Sequence, residues 1–241
     1  MLAAAIATGG FTLFEPSRLF DGGRDGVVVD PSDVAALFQE EAVYPPLTPA
    51  GVGDPVGTVM DRSGNGNYSL ASASAARPIL RADASGRRYL EFDGVNDNLV
   101  LSGYTQGAAA YVAMAIQIDA SETFAVVATA ASTSGFFSVF QDGDASAVSF
   151  AAGAPVCRVN GAAVSTRDEL HDATEAVNAV VEFDGLDLSA GLWSEINLMG
   201  GYAALEVIGR IYGVVMCSFV PSDGEKENIR RWLAAKSGVV L

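Results

Sequence analysis

The sequence predicts an all-β fold of antiparallel, meandering sheets, and three observations carry that expectation. Apolar runs at 111–118, 123–129, 135–141 and 147–151 recur about every ten residues, divided by Ser, Thr and Gly or by Asp142-Gly143-Asp144. Within 111–118, Val112, Met114, Ile116 and Ile118 alternate with their neighbours, the period of two that turns one face of a strand inward. Composition agrees: 26 glycines among 241 residues and a charged fraction of 18% suit a turn-rich sheet protein better than a helical one.

Half of the residues are hydrophobic, enough for one full core, so one main domain is expected over 27–241. Residues 1–26 stand apart. They carry Leu2, Ile6, Phe11, Leu13, Phe14, Leu19 and Phe20 in a length too short to enclose them, punctuated by Pro16 and Asp21-Gly22-Gly23, and are expected to be an attachment or oligomerisation arm. Val34, Leu37 and Phe38 are spaced for a short helix capped by Ser32 or Asp33, and Pro45-Pro46 ends that segment. A strand at 56–60 leads into Asp61-Arg62-Ser63-Gly64-Asn65-Gly66-Asn67, residues that suit a tight surface loop, and 69–76 is a Ser/Ala loop. Leu90 and Phe92 alternate with Tyr89, Glu91 and Asp93 in a strand that Asp93-Gly94 breaks, and 99–101 resumes the sheet. Asn160-Gly161 joins 155–159 to 162–165 as a hairpin, since Asn-Gly suits the type I′ turn that matches strand twist.

Arg167-Asp168-Glu169-Leu170-His171-Asp172 reads as a polar loop, followed by a strand at 177–183 and closing strands over 205–219, where Gly209 and Gly213 permit a bend. Ser222-Asp223-Gly224-Glu225 is a capping box that opens a terminal helix over 222–236, with an apolar stripe of Ile229, Trp232 and Leu233 and a stop at Gly238.

The Asp61–Asn67 turn, followed by Arg77-Pro78 and then by Phe92-Asp93-Gly94-Val95-Asn96-Asp97, resembles the concanavalin A-like, laminin-G-like jelly-roll family. Asp30-Pro31-Ser32-Asp33 through Phe38-Gln39, Ile208–Gly213, and Ile229–Lys236 extend the resemblance over residues 27 to 238, toward a subgroup found in virion proteins of tailed bacteriophages and prophages. One departure is Val28-Val29, where that subgroup usually carries an aromatic pair. The resemblance implies a two-sheet antiparallel jelly-roll sandwich with a short N-terminal and a C-terminal helix. It also implies a non-enzymatic virion component (capsid decoration, spike or tail-associated) that assembles in the host cytoplasm with other virion proteins or with itself as an oligomer. A carbohydrate-binding module is the alternative it implies, with glycans as partners; a glycoside hydrolase is the third reading.

The chemistry is sparse. Lys and Arg number 14 against 29 Asp and Glu, a net charge of −15 that repels phosphate backbones and argues against a nucleic-acid partner. Cys157 and Cys217 sit in apolar runs and read as buried free thiols. The apolar start at Met1 lacks a basic flank and is broken at Gly9-Gly10, so no signal peptide is expected, and no stretch is long enough for a membrane helix. A glycosidase needs paired carboxylates; Glu91 with Asp93 and Glu182 with Asp184 are the pairs on offer, each separated by a Phe that directs both acids to the opposite face, expected to be solvent. No catalytic residue is therefore assigned. His171 is the sole histidine and reads as a solvated side chain, without the partners for a triad or zinc site. Asp93, Asn96 and Asp97 are candidate calcium ligands by their hard oxygens; otherwise no cofactor is expected. Tyr104, Tyr111, Trp193 and Tyr202 are candidate sugar-stacking aromatics, with a place in the core the equal alternative for most of them.

Overall fold

The computed structural model describes residues 14–104, 107–130, 139–148, 155–189, 193, 195–200 and 206–241. Its architecture is the predicted antiparallel β-sandwich. One sheet runs in the order β13 (Ala162–Val164), β12 (Val156–Val159), β14 (Ala179–Leu186), β8 (Ala110–Ile118), β16 (Ile208–Cys217), β6 (Arg88–Asp93) and β5 (Ile79–Ala82), with β1 (Gly26–Val29) also paired to β16. The facing sheet runs β10 (Ala128–Ala130), β15 (Ile196–Leu198), β7 (Leu99–Ser102), β4 (Tyr68–Leu70), β3 (Thr58–Met60) and β2 (Leu37–Phe38). A small ribbon pairs β9 (Phe124–Ala125) with β11 (Phe140–Gln141).

The inward alternation of β8 is as read, with Val112, Met114, Ile116 and Ile118 meeting Leu99, Leu101, Ile196 and Leu198 of the other sheet in one core. The intervening Tyr111, Ala113 and Ala115 are buried as well. They face a second apolar layer in which Ile229 and Leu233 of the terminal helix α2 (Asp223–Ser237) pack on Val180, Tyr212 and Val215. The centre of this sheet is thus covered on both faces, which is why its strands read as nearly continuous apolar runs.

The described part of the N-terminal segment belongs to that outer layer. Leu19 and Phe20, from the short 3-10 turn Pro16–Phe20, are buried in it and Phe14 packs against it. A boundary at 26/27 falls inside β1, whose first residue is Gly26. A side chain there is impossible: a Cβ on Gly26 would lie 2.1 Å from the Phe20 ring and 2.3 Å from the Met216 carbonyl. The remainder of the proposed arm, 1–13, lies outside the described residues.

β16 is divided by a bulge between Ile211 and Gly213; its first half pairs with β6 and its second half with β1. The free edge of β1 is then closed by the Asp61–Asn67 loop. Val28 N donates to Asp61 Oδ1 at 2.8 Å and Arg62 N returns a bond to the Val28 carbonyl at 2.9 Å. Ser63 Oγ (3.0 Å), Asn65 Nδ2 (3.0 Å) and Asn67 Nδ2 (2.9 Å) all donate to the Gly26 carbonyl. The loop expected to be a surface turn is therefore an edge cover, with Ser63 and Asn67 buried. Burial raises the Asp61 carboxyl above its usual range, against hydrogen bonds from Ser63, Val28 and Asn67 that pull it down.

Three further elements bear on the sites below. The Asn160-Gly161 hairpin forms as read, both residues taking positive φ (51° and 85°). The helical turn expected at 34–39 is a 3-10 turn at Val34–Ala36, capped by Asp33, that passes directly into β2. The segment read as a polar loop is a helix, α1 (Arg167–Asp172), with a full capping box between Thr166 and Glu169.

Helix α2 carries its predicted capping box at Ser222 and Glu225 and ends on Gly238 in the left-handed conformation, φ 76°. Glu225 Oε1 also takes a 2.8 Å bond from Arg24 Nη2, tying the N-terminal segment to the helix start.

Two predictions follow from these contacts. Asp61→Ala strips the buried Val28 and Ser63 N–H groups of their acceptor and is expected to cost about 2 kcal/mol, roughly 4–8 °C in melting temperature. An unchanged melting temperature would show that β1 needs no edge cover. Arg24, followed by the Ser222 bonds, lowers the Glu225 carboxyl from its ordinary 4.5 to about 2. The unfolded chain therefore binds the proton first: the stabilisation is complete above pH about 4.5 and is lost as pH falls toward 2. Glu225→Gln should melt lower than wild type at neutral pH, with the gap closing across that interval.

Candidate binding cleft

Where β1 ends, the chain turns through Asp30-Pro31-Ser32-Asp33 beneath the last turns of α2. Asp30 Oδ1 accepts from Ser32 N (3.0 Å) and Ser32 Oγ (2.7 Å), and Asp33 caps the following turn through Ala35 N (3.1 Å). These local bonds leave each acid a second oxygen. Lys236 Nζ donates to Asp30 Oδ2 at 2.7 Å, and also to Ser32 Oγ, while Arg62 Nε meets Asp33 Oδ2 at 2.8 Å.

Together with half-buried Trp232, these groups line a cleft of about 170 Å³, walled on the other side by Glu15, Pro16 and Ser17. Lys236 Nζ sits 4.8 Å from the centre of the Trp232 ring. Trp232 was expected in the core stripe. It comes only part of the way in, because Leu233 and Ile229 take the sheet-facing positions, and it leans over β16 at Gly213, where an added Cβ would lie 3.4 Å from its ring. On a chain of net charge −15, the cleft sets two cations, Lys236 and Arg62, beside three acids, of which Asp30 and Asp33 are ion-paired with them and Glu15 is the third. The cleft offers an aromatic ring edge beside fixed donors and acceptors. The sequence singled out the Asp30–Asp33 turn and the Asp61–Asn67 loop separately; their meeting with Trp232, about 200 and 170 positions away along the chain, is tertiary.

The stacking candidates lie elsewhere, and their assignment is corrected. Tyr104 is 4% exposed, and Tyr111 and Trp193 are fully buried, so none presents a ring to a ligand; Tyr202 lies outside the described residues. Alternating with apolar neighbours on a sheet covered on both faces, a Tyr has no solvent side to take. Tyr111 O–H donates to Glu182 Oε1 at 2.6 Å, and burial pushes its pKa up.

The acid pairs do face away from their Phe residues, but α2 covers that face at β14, so that Glu182 does not reach solvent and Asp184 is only partly exposed. Glu182 is 0% exposed and held by Arg230 through Nε–Oε2 (2.6 Å) and Nη2–Oε1 (3.0 Å). Losing one partner of a buried pair costs about 3–5 kcal/mol, which gives this carboxylate a structural duty. Asp184 meets Lys226 at 2.7 Å and Arg158 at 3.5 Å, and Glu91 meets Arg81 at 2.7 Å.

Asp93, Asn96 and Asp97 share one turn. Asp93 Oδ1 accepts from Val95 N (2.8 Å) and Asn96 N (3.4 Å), while Asp97, buried, accepts from Asp93 N (3.0 Å) through Oδ2. Burial, with Asp93 and Glu91 nearby, pushes the Asp97 carboxyl up to about 6 although the Asp93 N–H opposes it. Both acids thus serve as backbone acceptors, and Asn96 is exposed. Cys157 and Cys217 are free and buried as read, and burial raises both thiols to about 12. Among the described residues, no helix is long and apolar enough to cross a membrane.

No protein-family model matches the chain, and no curated protein does. Solved structures do. An arabinofuranosidase in complex with arabinofuranosyl-alpha-1,2-xylobiose superposes over 93% of this chain and 65% of its own, with a TM-score of 0.50 and 12% identity. A mutant GH54 α-L-arabinofuranosidase soaked with 4-nitrophenyl α-L-arabinofuranoside superposes over 93% and 66%, with a TM-score of 0.51 and 12% identity. The chain spans about two thirds of the length of these proteins, and the likeness shows the shared β-sandwich. It also corrects the expectation of a phage virion component. The neighbours of this fold are carbohydrate-active enzymes, and nothing in them points to a virion role.

Proposed function

We propose that this chain is a carbohydrate-binding β-sandwich that holds its ligand without cleaving it, at the cleft between α2 and the Asp30–Asp33 turn. The observation that carries the reading is the meeting of the Trp232 ring with two oriented ion pairs, Asp30–Lys236 and Asp33–Arg62, in one concave site. At about 170 Å³ the cleft is smaller than the roughly 300 Å³ at which drug-sized sites begin, a scale that suits one sugar ring or a chain end. Pentose-bearing glycans are the first class to test, because the neighbours of this fold were solved with arabinofuranosyl ligands. The absence of catalysis is supported by the occupation of both strand-borne acid pairs: Glu182, Asp184 and Glu91 are all ion-paired, and Asp93 caps its own turn.

Titration with arabinose-substituted xylo-oligosaccharides, followed by calorimetry, is expected to give saturable binding that falls at least tenfold in Trp232→Ala and in Asp30→Asn. Because Trp232 is half-buried, its truncation should cost about 2 kcal/mol of stability, less than for an enclosed Trp, and the variant should remain folded. Saturable binding unaffected by Trp232→Ala would move the site off this cleft. Sugar release that disappears in Glu91→Gln or Asp30→Asn would make the chain a hydrolase instead.

A further inference from the structure

His171 is the one histidine of the chain, and it is not the solvated side chain its polar surroundings suggest: it is 2% exposed. The ring enters the fold because α1 lays its last turn against the β9–β11 ribbon. Its Nε2 lies 2.6 Å from the Glu122 carbonyl, an acceptor only, so Nε2 carries the proton and the lone pair of the neutral ring is on Nδ1. Glu122 is itself held, its amide bonding the Asp119 carbonyl at 3.0 Å and its Oε1 accepting from Ile208 N at 3.0 Å.

Nδ1 is buried and has no hydrogen-bond partner among the described residues. Asp172 Oδ1 is 3.8 Å from it, and oxygens of Asp142 and Asp172 together with a His171 ring nitrogen lie within 4.8 Å of one another. That grouping is built by the fold. Asp142 comes from the turn after β11, which is clamped to α1 by Gly143 N donating to Asp168 Oδ1 (2.6 Å) and by Arg167 Nη1 donating to Asp144 Oδ2 (2.9 Å). Asp142 N is bound to the Thr123 carbonyl at 3.1 Å.

We propose that Asp142, His171 and Asp172 form a zinc site that pins the turn after β11 to the end of α1. In the present geometry Nδ1 has no acceptor within hydrogen-bond distance, since 3.8 Å is too long, and a cation between the three groups would satisfy its lone pair and both acids together. Zinc bound at about 2.1 Å places neighbouring donors about 3.4 Å apart, which the exposed Asp142 and Asp172 (67%) reach by rotating inward. The imidazole selects against calcium, which takes about six to eight oxygens, and the Nε2 bond to a carbonyl is the outer contact that metal-binding histidines use. Three protein ligands leave a coordination position open on the solvent side. The proposal is independent of the sugar cleft.

The test is calorimetric titration of the chelator-treated full chain with Zn²⁺ alone, with thermal melts and the visible spectrum after Co²⁺ addition alongside. One equivalent of Zn²⁺ is expected to bind and raise the melting temperature. Asp142→Asn and Asp172→Asn, both at exposed positions, should each weaken binding at least tenfold, and His171→Gln, which retains a donor toward Glu122, should remove the d–d bands of the Co²⁺ form. No uptake at micromolar Zn²⁺, uptake unchanged by Asp142→Asn, or a site that takes Ca²⁺ but not Zn²⁺ would each overturn it. If instead His171 is an imidazolium paired with the two acids, Asp142→Asn will lower the melting temperature of the metal-free protein and Zn²⁺ will not bind.

Discussion

The carbonyl of Gly26 accepts from three side chains, and the arrangement around it governs how the outer layer is assembled. β1 adds to the sheet only along the second half of β16, Val214–Cys217, because the first half, Ile208–Ile211, is paired with β6. An edge strand left with open N–H and C=O groups is a hazard in water and a cost when buried. The Asp61–Asn67 loop removes both problems by supplying a carboxylate to Val28 N and amide and hydroxyl donors to Gly26. Closing that edge brings Arg62 beside Asp33 and fixes the end of β1 under α2, so the cleft at Trp232 exists because the edge is covered.

The acidity of the chain takes on a different meaning beside these contacts. Many of its carboxylates act as acceptors inside the structure: Asp61 for a strand edge, Glu182 for Arg230 and Tyr111, Asp97 for a turn, Glu169 and Glu225 for helix starts. Acids used this way are bound to architecture. The same logic weighs against Glu182 as a catalytic acid, since a carboxylate locked to an arginine in a fully buried site is poorly placed to exchange a proton with substrate.

The cleft and the Asp142–His171–Asp172 cluster draw on different physics. In the cleft, Asp30 and Asp33 are each met by a protein cation, Lys236 and Arg62, beside an aromatic ring edge. In the cluster, two carboxylates lie beside a buried histidine whose Nδ1 has no hydrogen-bond partner among the described residues, the grouping on which the proposed metal site rests. The proposed sugar cleft and the proposed metal site share no residue, so either can fail without the other.

The sequence alone determined the periodic features. Alternation at Val112–Ile118, the Asn160-Gly161 turn, and the Ser222–Glu225 capping box with its Gly238 stop are each local, and each formed as read because a few neighbouring residues set the backbone. The Thr166–Glu169 capping box was equally local and signalled α1, but the short polar run after it masked the helix. Tertiary structure decided everything that depends on which face is covered. Burial of Tyr104, Tyr111 and Trp193, the pairing of Glu182 with Arg230, and the inward turn of His171 all follow from elements far apart in sequence coming to lie on a strand or ribbon. A period of two says that alternate side chains share a face; it does not say whether that face meets water, a second sheet or a helix.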